Sequence, residues 1–254
     1  STLSSVPLDI FLFVMEVFLI MPLLIVRECY QITGLSGRLF VNNREIDVPD
    51  FSLEDNLGLA SAAIIVGVDE VGRGPLAGPV TAAAVFLNRK KITSDLSNKI
   101  DDSKKLSQKS RAILCRKIKD VADIGIGWAS IKEIDEFNIL EATMLAMQRA
   151  VTSLSQEIAA DPDYILIDGN KAPKLNFPSK TIVRGDEKSI SIAAASIVAK
   201  SERDAFMASL SMLYPGYGWE KNFGYGTQQH LTAIEQHGIT SHHRRSFKPI
   251  SKYL

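Results

Sequence analysis

Three short apolar runs, each followed by acid, constrain this chain more than any other feature of it. IIVGV precedes Asp69 and Glu70, YILI precedes Asp168, and TIVRG precedes Asp186. Runs of this length, rich in β-branched residues, read as strands. Apolar strands deliver their ends to one edge of an α/β sheet, the edge where sites are built. Any one of these acids could simply terminate a strand. Their joint occurrence, with no other acid inside the runs, argues for a shared site. Neighbouring residues on a regular strand point to opposite faces, so Asp69 and Glu70 can share that site only if the chain leaves strand geometry there. Gly72-Arg73-Gly74-Pro75 would supply the break.

Carboxylates gathered within a few ångströms repel one another unless divalent cations lie between them. Oxygen ligands with no His or Cys partner select Mg²⁺ or Mn²⁺ over zinc. Two such ions, about 3.5–4 Å apart, suit in-line displacement at phosphorus, giving a 5′-phosphate and a 3′-hydroxyl.

Around these runs the pattern alternates. AAIIVGVDE and VTAAAVFL form a strand pair, and ADIGIGWASI is a third strand. Residues 103–122 predict a helix capped by Ser103. Leu140, Met144, Met147, Val151 and Leu154 lie at three- and four-residue intervals and predict a helix over 138–158, with the methionines as core filling. Another helix begins near Ser189, with IAAASIVAK as its small-residue face. The order predicts an α/β fold with a mixed sheet flanked by helices and a C-terminal helical segment.

The first sixty residues differ in character. Residues 10–26 are the most apolar stretch, but Glu16 and Pro22 interrupt them, and the first basic residue is Arg27. That pattern suits neither a spanning helix nor a signal peptide. An appended segment, a packed helix and contact with a membrane surface remain the alternatives. Residues 43–60 are polar and turn-rich, a linker composition. The expected division is an N-terminal extension over 1–60 and a catalytic domain over 61–254.

A 46% hydrophobic and 23% charged composition excludes a disordered chain. Net charge is zero, yet three basic residues face eight acidic ones over 1–68, against twelve basic and six acidic over 169–254. The basic end is the one suited to phosphates. Cys29 and Cys115 have no CxxC spacing, which fits a reducing cytosol better than a disulfide framework or a zinc site.

The blocks GVDEVGRGPLAGPV, DDSKKLS, ILIDGNKAPKL, VRGDEKSISIAAASIVAK and HHRRSF, spread over residues 62–250, resemble in order the signature blocks of bacterial ribonuclease HII. The resemblance implies a ribonuclease H-like fold. It implies cleavage on the 5′ side of ribonucleotides in RNA/DNA hybrids or at single ribonucleotides in duplex DNA, with roles in ribonucleotide removal and primer degradation. It places the metal-binding, catalytic carboxylates on Asp69, Glu70, Asp168 and Asp186. Asp204, a helix away, is expected to be an ordinary helix residue or a support to the ligands rather than a ligand itself.

A nuclease for embedded ribonucleotides must sense a 2′-hydroxyl. Gly72, Arg73 and Gly74 match the family loop that reads it, through backbone groups that glycine lets come close. Tyr225 matches the tyrosine that stacks on the next sugar, although Phe223 stands where lysine is common and Gly226 where proline is. Ser103, Lys104, Lys105, Lys171, Lys188, Arg244 and Arg245 form the expected phosphate-binding set. His242 and His243 are expected to be structural, beside Arg244. The chain is expected to act as a cytoplasmic monomer. The competing readings are another ribonuclease H-like nuclease, such as a junction resolvase, and a non-catalytic nucleic-acid-binding or membrane-tethered protein.

Overall fold

The computed structural model describes residues 39–41, 44–46, 49–101, 103 and 106–254. Residues 10–26, Lys104, Lys105 and Cys29 lie outside them. The chain forms two compact units, Ser1–Asp47 and Val48–Leu254. In the first, β1 (Leu39–Val41) pairs antiparallel with β2 (Arg44–Ile46), Phe40 opposite Glu45.

The second unit begins well before the boundary that linker composition suggests. A short helix, α1 (Ser52–Asp55), buries Glu54, and Asp50 forms a β-bridge with Ser189. Residues 50–54, within the segment that looks like a linker, are thus fastened to the rest of the unit at several polar points. Glu54 is hydrophilic on paper but accepts hydrogen bonds from the Ser189 hydroxyl and the Ser191 amide.

The sheet of this unit has the order β5-β4-β3-β6-β7. Strand β3 (Ile65–Val71) pairs antiparallel with β4 (Val80–Leu87), and β4 pairs antiparallel with β5 (Ala122–Ala129). On its other side β3 pairs parallel with β6 (Tyr164–Asp168), which pairs parallel with β7 (Ser179–Ile182). The sheet is therefore mixed.

Both faces are covered, and the period of two in the strands decides which residue meets which helix. Val66, Val68, Ala82, Ala84, Ile165 and Ile167 pack with Ala146, Met147, Ala150, Val151 and Leu154 of α4 (Ile131–Ile158). The alternate residues Ala83, Val85 and Leu87 pack instead with Ala193–Ala195 and Ile197–Ala199 of α5 (Ile190–Leu213) and with Leu114, Cys115 and Ile118 of α3 (Gln108–Val121). Helix α2 (Ser94–Ser97) adds Leu96. The small-residue face of α5 allows close approach to β3. A Cβ on Gly67 would lie 2.1 Å from the Ser191 carbonyl carbon, so the strand has no side chain there.

Local starts and stops follow side-chain chemistry. Helix α5 begins where Ser189 accepts a hydrogen bond from the Ile192 amide. Helix α4 starts at a Ser130–Glu133 capping box, seven residues before the stripe seen in the sequence. Asn138 breaks it with φ 72° and ψ 165°, and the Asn138 side chain caps the second stretch through the Leu140 and Glu141 amides. The cap of α3 is Ser107, not Ser103. Ser107 accepts from the Ser110 amide, whereas Ser103 is buried in a turn.

The C-terminal segment, α6 (Trp219–Asn222), α7 (Gln228–His237) and α8 (Lys248–Ser251), builds a further core with Leu76, Ala77, Met207, Tyr217, Trp219 and Ile234. Residues 76–78, just before β4, are held by this segment. Leu76 donates to Gly224, Gly78 donates to the His242 carbonyl, and Ala77 bridges His243. Among the described residues no helix is long and apolar enough to cross a membrane.

Candidate active site

Parallel pairing of β3 and β6, with Val68 opposite Ile167, brings their carboxyl ends side by side. Asp69, Glu70 and Asp168 each offer a carboxylate oxygen within 4.8 Å of the others. The expected break in β3 is absent. The strand runs on through Val71, with Asp69 opposite Ala83 and Glu70 opposite Ala82. The two acids converge because the Asp69 carboxylate turns back to accept its own neighbour's amide, Glu70 N–H, at 2.7 Å.

Asp186 lies beside this cluster, outside the three that could jointly hold an ion. It is reached through Arg184, at φ 55°, and a 3₁₀ turn over Gly185–Glu187, four residues beyond the end of β7. The same turn presents the Gly185 amide, which donates to Asp168 at 2.6 Å. Asp186 is close enough to act electrostatically on both Asp69 and Asp168.

Charge crowding is visible in the carboxylates themselves. Burial, then the charges of Glu70 and Asp168, hold the Asp69 carboxyl well above the usual range, against a hydrogen bond from Ser196. Burial also raises Glu70, opposed first by the Arg73 guanidinium, 3.3 Å away. Burial raises Asp168 as well, opposed by the Gly185 amide. Three desolvated carboxylates, all oxygen donors, with no His or Cys among them, fit a hard divalent cation, which would reverse this repulsion.

The substrate-reading set divides. Gly72 has φ +93°, and a Cβ there would lie 2.1 Å from Arg203 Nε, so its glycine is required by the protein's own packing. Gly74 is different. Its nearest neighbour would be the Tyr225 ring, at 3.6 Å, which puts the glycine loop and Tyr225 side by side. Tyr225 is 42% exposed, and its carbonyl accepts from His230 Nδ1. Lys171, Lys188 and Arg245 are exposed, Lys188 donating to the Val183 carbonyl.

Two members of the phosphate set are misplaced. Ser103 is buried and hydrogen-bonds Ser196, the same serine that hydrogen-bonds Asp69, so it orients the acid's partner. Arg244 is 0% exposed. Its guanidinium donates to the carbonyls of Gly72 (2.5 Å), Arg73 (2.9 Å), Gly78 (2.9 Å) and Pro79 (3.3 Å), leaving no face for a phosphate. His242 and His243 were expected to be structural. His243 is buried, and its ring meets those of His230, Trp219 and Tyr217. Asp204 binds Lys200 at 2.6 Å and Arg111 at 3.4 Å and is not among the three acids that could jointly hold an ion.

Sequence reasoning missed Arg203. It too is fully buried, donating to the carbonyls of Ala77, Pro79 and Phe223. The available signal was a run of glycine- and proline-rich chain with no ladder partners for its carbonyls, which some buried donor had to satisfy.

The geometry agrees with what the chain is similar to. The ribonuclease HII family model matches residues 66–250. A ribonuclease HII of Wolbachia pipientis from Culex pipiens is 54% identical over 202 residues, 80% of this chain and 97% of that protein. The ribonuclease HII of Paramagnetospirillum magneticum is 50% identical over 82% of this chain and 99% of its own. Among solved structures, the ribonuclease H2 of Pyrococcus horikoshii superposes with a TM-score of 0.59 at 26% identity, over 74% of this chain and 96% of that one. Bst-RNase HIII in complex with Mn²⁺ shares the fold, with a TM-score of 0.62 at 20% identity over 86% of this chain and 77% of that one. A match of that length, falling on the strands that carry the clustered acids, means that this chain belongs to the ribonuclease HII family, the metal-dependent endonucleases of the ribonuclease H class.

Proposed function

We propose that this protein hydrolyses the phosphodiester on the 5′ side of ribonucleotides, both in RNA/DNA hybrids and at single ribonucleotides in duplex DNA, leaving 5′-phosphate and 3′-hydroxyl ends. One observation carries the reading. The oxygen-only cluster of Asp69, Glu70 and Asp168 stands at the end of β3, and the chain leaves that strand directly into the Gly72-Arg73-Gly74 loop, with Tyr225 at its side. A cutting centre and a sugar-reading surface are thus consecutive in the chain.

Asp69, Glu70 and Asp168 would hold Mg²⁺ or Mn²⁺, with Asp186 completing the acidic wall. The bound ions would supply charge stabilisation at the phosphodiester and a water activated for in-line attack. The residues do the rest. Gly185 N–H fixes the Asp168 carboxylate, and Ser196, steadied by Ser103, fixes Asp69. The loop backbone approaches the 2′-hydroxyl, and the Tyr225 ring packs on the following sugar. Arg73, half exposed and paired with Glu70, is in reach of a phosphate, while Lys171, Lys188 and Arg245 supply screening charge farther out. The chain would act as a cytoplasmic monomer in ribonucleotide removal and RNA primer degradation, a setting that suits the buried free thiol of Cys115.

The test is to map the cut in a duplex with one ribonucleotide, beside an all-DNA duplex and an RNA/DNA hybrid, with and without chelator. Cleavage only 5′ to ribonucleotides and only with divalent metal is expected. Equal cutting of all-DNA duplex would favour a general ribonuclease H-like nuclease instead.

A further inference from the structure

The 72–79 segment is irregular, glycine-rich and held from behind by two guanidiniums. Arg244 takes the carbonyls of Gly72, Arg73, Gly78 and Pro79, and Arg203 takes those of Ala77, Pro79 and Phe223. Arg203, whose Nε a Cβ on Gly72 would meet at 2.1 Å, thereby packs against the glycine loop and ties residues 77–79 to the stretch that ends in Tyr225, through a carbonyl two residues from that ring. Arg244 rests on the Phe247 ring, 5.0 Å from its centroid.

Burying a guanidinium against neutral carbonyls is costly unless each N–H is satisfied. Here every N–H-bearing nitrogen of both side chains has a carbonyl partner. No carboxylate neutralises either in direct contact among the described residues. A rigid planar fork can hold several carbonyls in fixed relation; the ammonium of lysine, a point charge on a flexible stem, cannot. A loop that must detect one hydroxyl needs that fixity, because misplacement by an ångström is costly in rate.

We infer that Arg244 is a positioning residue for sugar discrimination: its buried guanidinium fixes the Gly72 and Arg73 carbonyls of the ribose-reading loop, and Arg203 couples that loop to the Tyr225 segment. This rests on the ribose-reading function proposed above. It replaces the phosphate-contact role that the sequence suggests for Arg244.

The experiment compares wild type with Arg244→Lys, both well below their unfolding temperatures. The substrates are a single-ribonucleotide duplex and the same duplex in all-DNA form. Expected is a roughly tenfold to hundredfold fall in kcat on the ribonucleotide duplex. Affinity for the all-DNA duplex, and its salt dependence, should stay unchanged. Unchanged kcat overturns the inference. So does an equal loss of affinity for both duplexes with a salt slope shallower by about one, since that is the signature of a lost phosphate contact. Should the lysine variant not fold, Phe247→Leu, which removes the ring under the guanidinium and keeps an apolar side chain against the core that Phe247 also packs on, is expected to lower kcat in the same selective way, and wild-type kcat there overturns the inference. Wild type reports on the underlying reading. If it cuts both duplexes alike, the ribose-reading function fails and the inference falls with it. If it discriminates and Arg244→Lys matches it, only the inference falls.

Discussion

The Ser189 hydroxyl donates at 2.7 Å to the Glu54 carboxylate, joining the start of α5 to a helix 135 residues earlier in the chain. Ser191 N–H donates to the same carboxylate oxygen. A chain beginning near Ser61, which keeps every candidate site residue, would lose these contacts and expose α5 at its cap. We expect residues 48–254 to match the full chain in stability and cleavage. Residues 61–254 should be less stable by about 1–3 kcal/mol. Urea denaturation of the two truncated chains measures the difference, and equal midpoints would show that α1 contributes nothing.

Asp168→Asn keeps the side-chain volume and removes one of three crowded charges. Cleavage should fall to background while duplex binding persists. Without metal, the variant should melt at the same temperature as wild type or above it, because a repulsion has gone. Added Mg²⁺ or Mn²⁺ should raise the melting temperature of wild type by mass action and leave that of the variant nearly unmoved. An equal metal-induced shift in both would take Asp168 out of the ion site.

Gly72 and Gly74 should part company on substitution to alanine. At Gly72 the positive φ and the Arg203 side chain both oppose a Cβ, so Gly72→Ala should destabilise by about 1–3 kcal/mol or more. At Gly74 the added methyl meets only the Tyr225 ring at van der Waals distance, so the protein should stay folded and lose ribonucleotide cleavage. Full activity in Gly74→Ala would count against the loop as the reader of the sugar.

His243 carries a pH dependence whose sign is fixed by burial. Desolvation, then the neighbouring His230, pulls its pKa from 6.5 to about 4. Between those values the unfolded chain binds a proton that the folded one refuses. Its contribution is therefore complete above pH 6.5 and is lost as pH falls toward 4, to the extent of about 2–3 kcal/mol. The raised carboxylates of the acid cluster act in the opposite direction, so the effect is read as a difference. Wild type should lose more stability than His243→Asn between pH 7.5 and pH 5. Parallel curves would refute the assignment.

Legibility followed chemistry. The runs that end at Asp69 and Asp168, the Ser189 cap and the stripe beginning at Leu140 each combine a local signal with a face of the sheet, and the structure has them where the pattern places them, whereas Asp186 follows a 3₁₀ turn beyond its strand. Arg203 went unnoticed and Arg244 read as a phosphate contact, because sequence does not show that a guanidinium's partners are backbone carbonyls more than a hundred residues away. Glu54 was hidden for the same reason. The Asp69–Glu70 pair was expected to need a broken strand, and what joins them is a side chain turning back on its own backbone.

The parallel β3–β6 register also governs when the site comes into being. Asp69 and Asp168 are separated by about a hundred residues, and the clasp at the base of the pair, Ile64 N–H to the Asp163 carboxylate, spans 99. Closing so long a loop comes late, after β4, β5 and α4 can already have formed locally. A chain still being synthesised therefore carries its first two acids without the third. The three-acid cluster is incomplete until that 99-residue contact closes, so a bound metal would stabilise the paired strands over any chain in which they are apart.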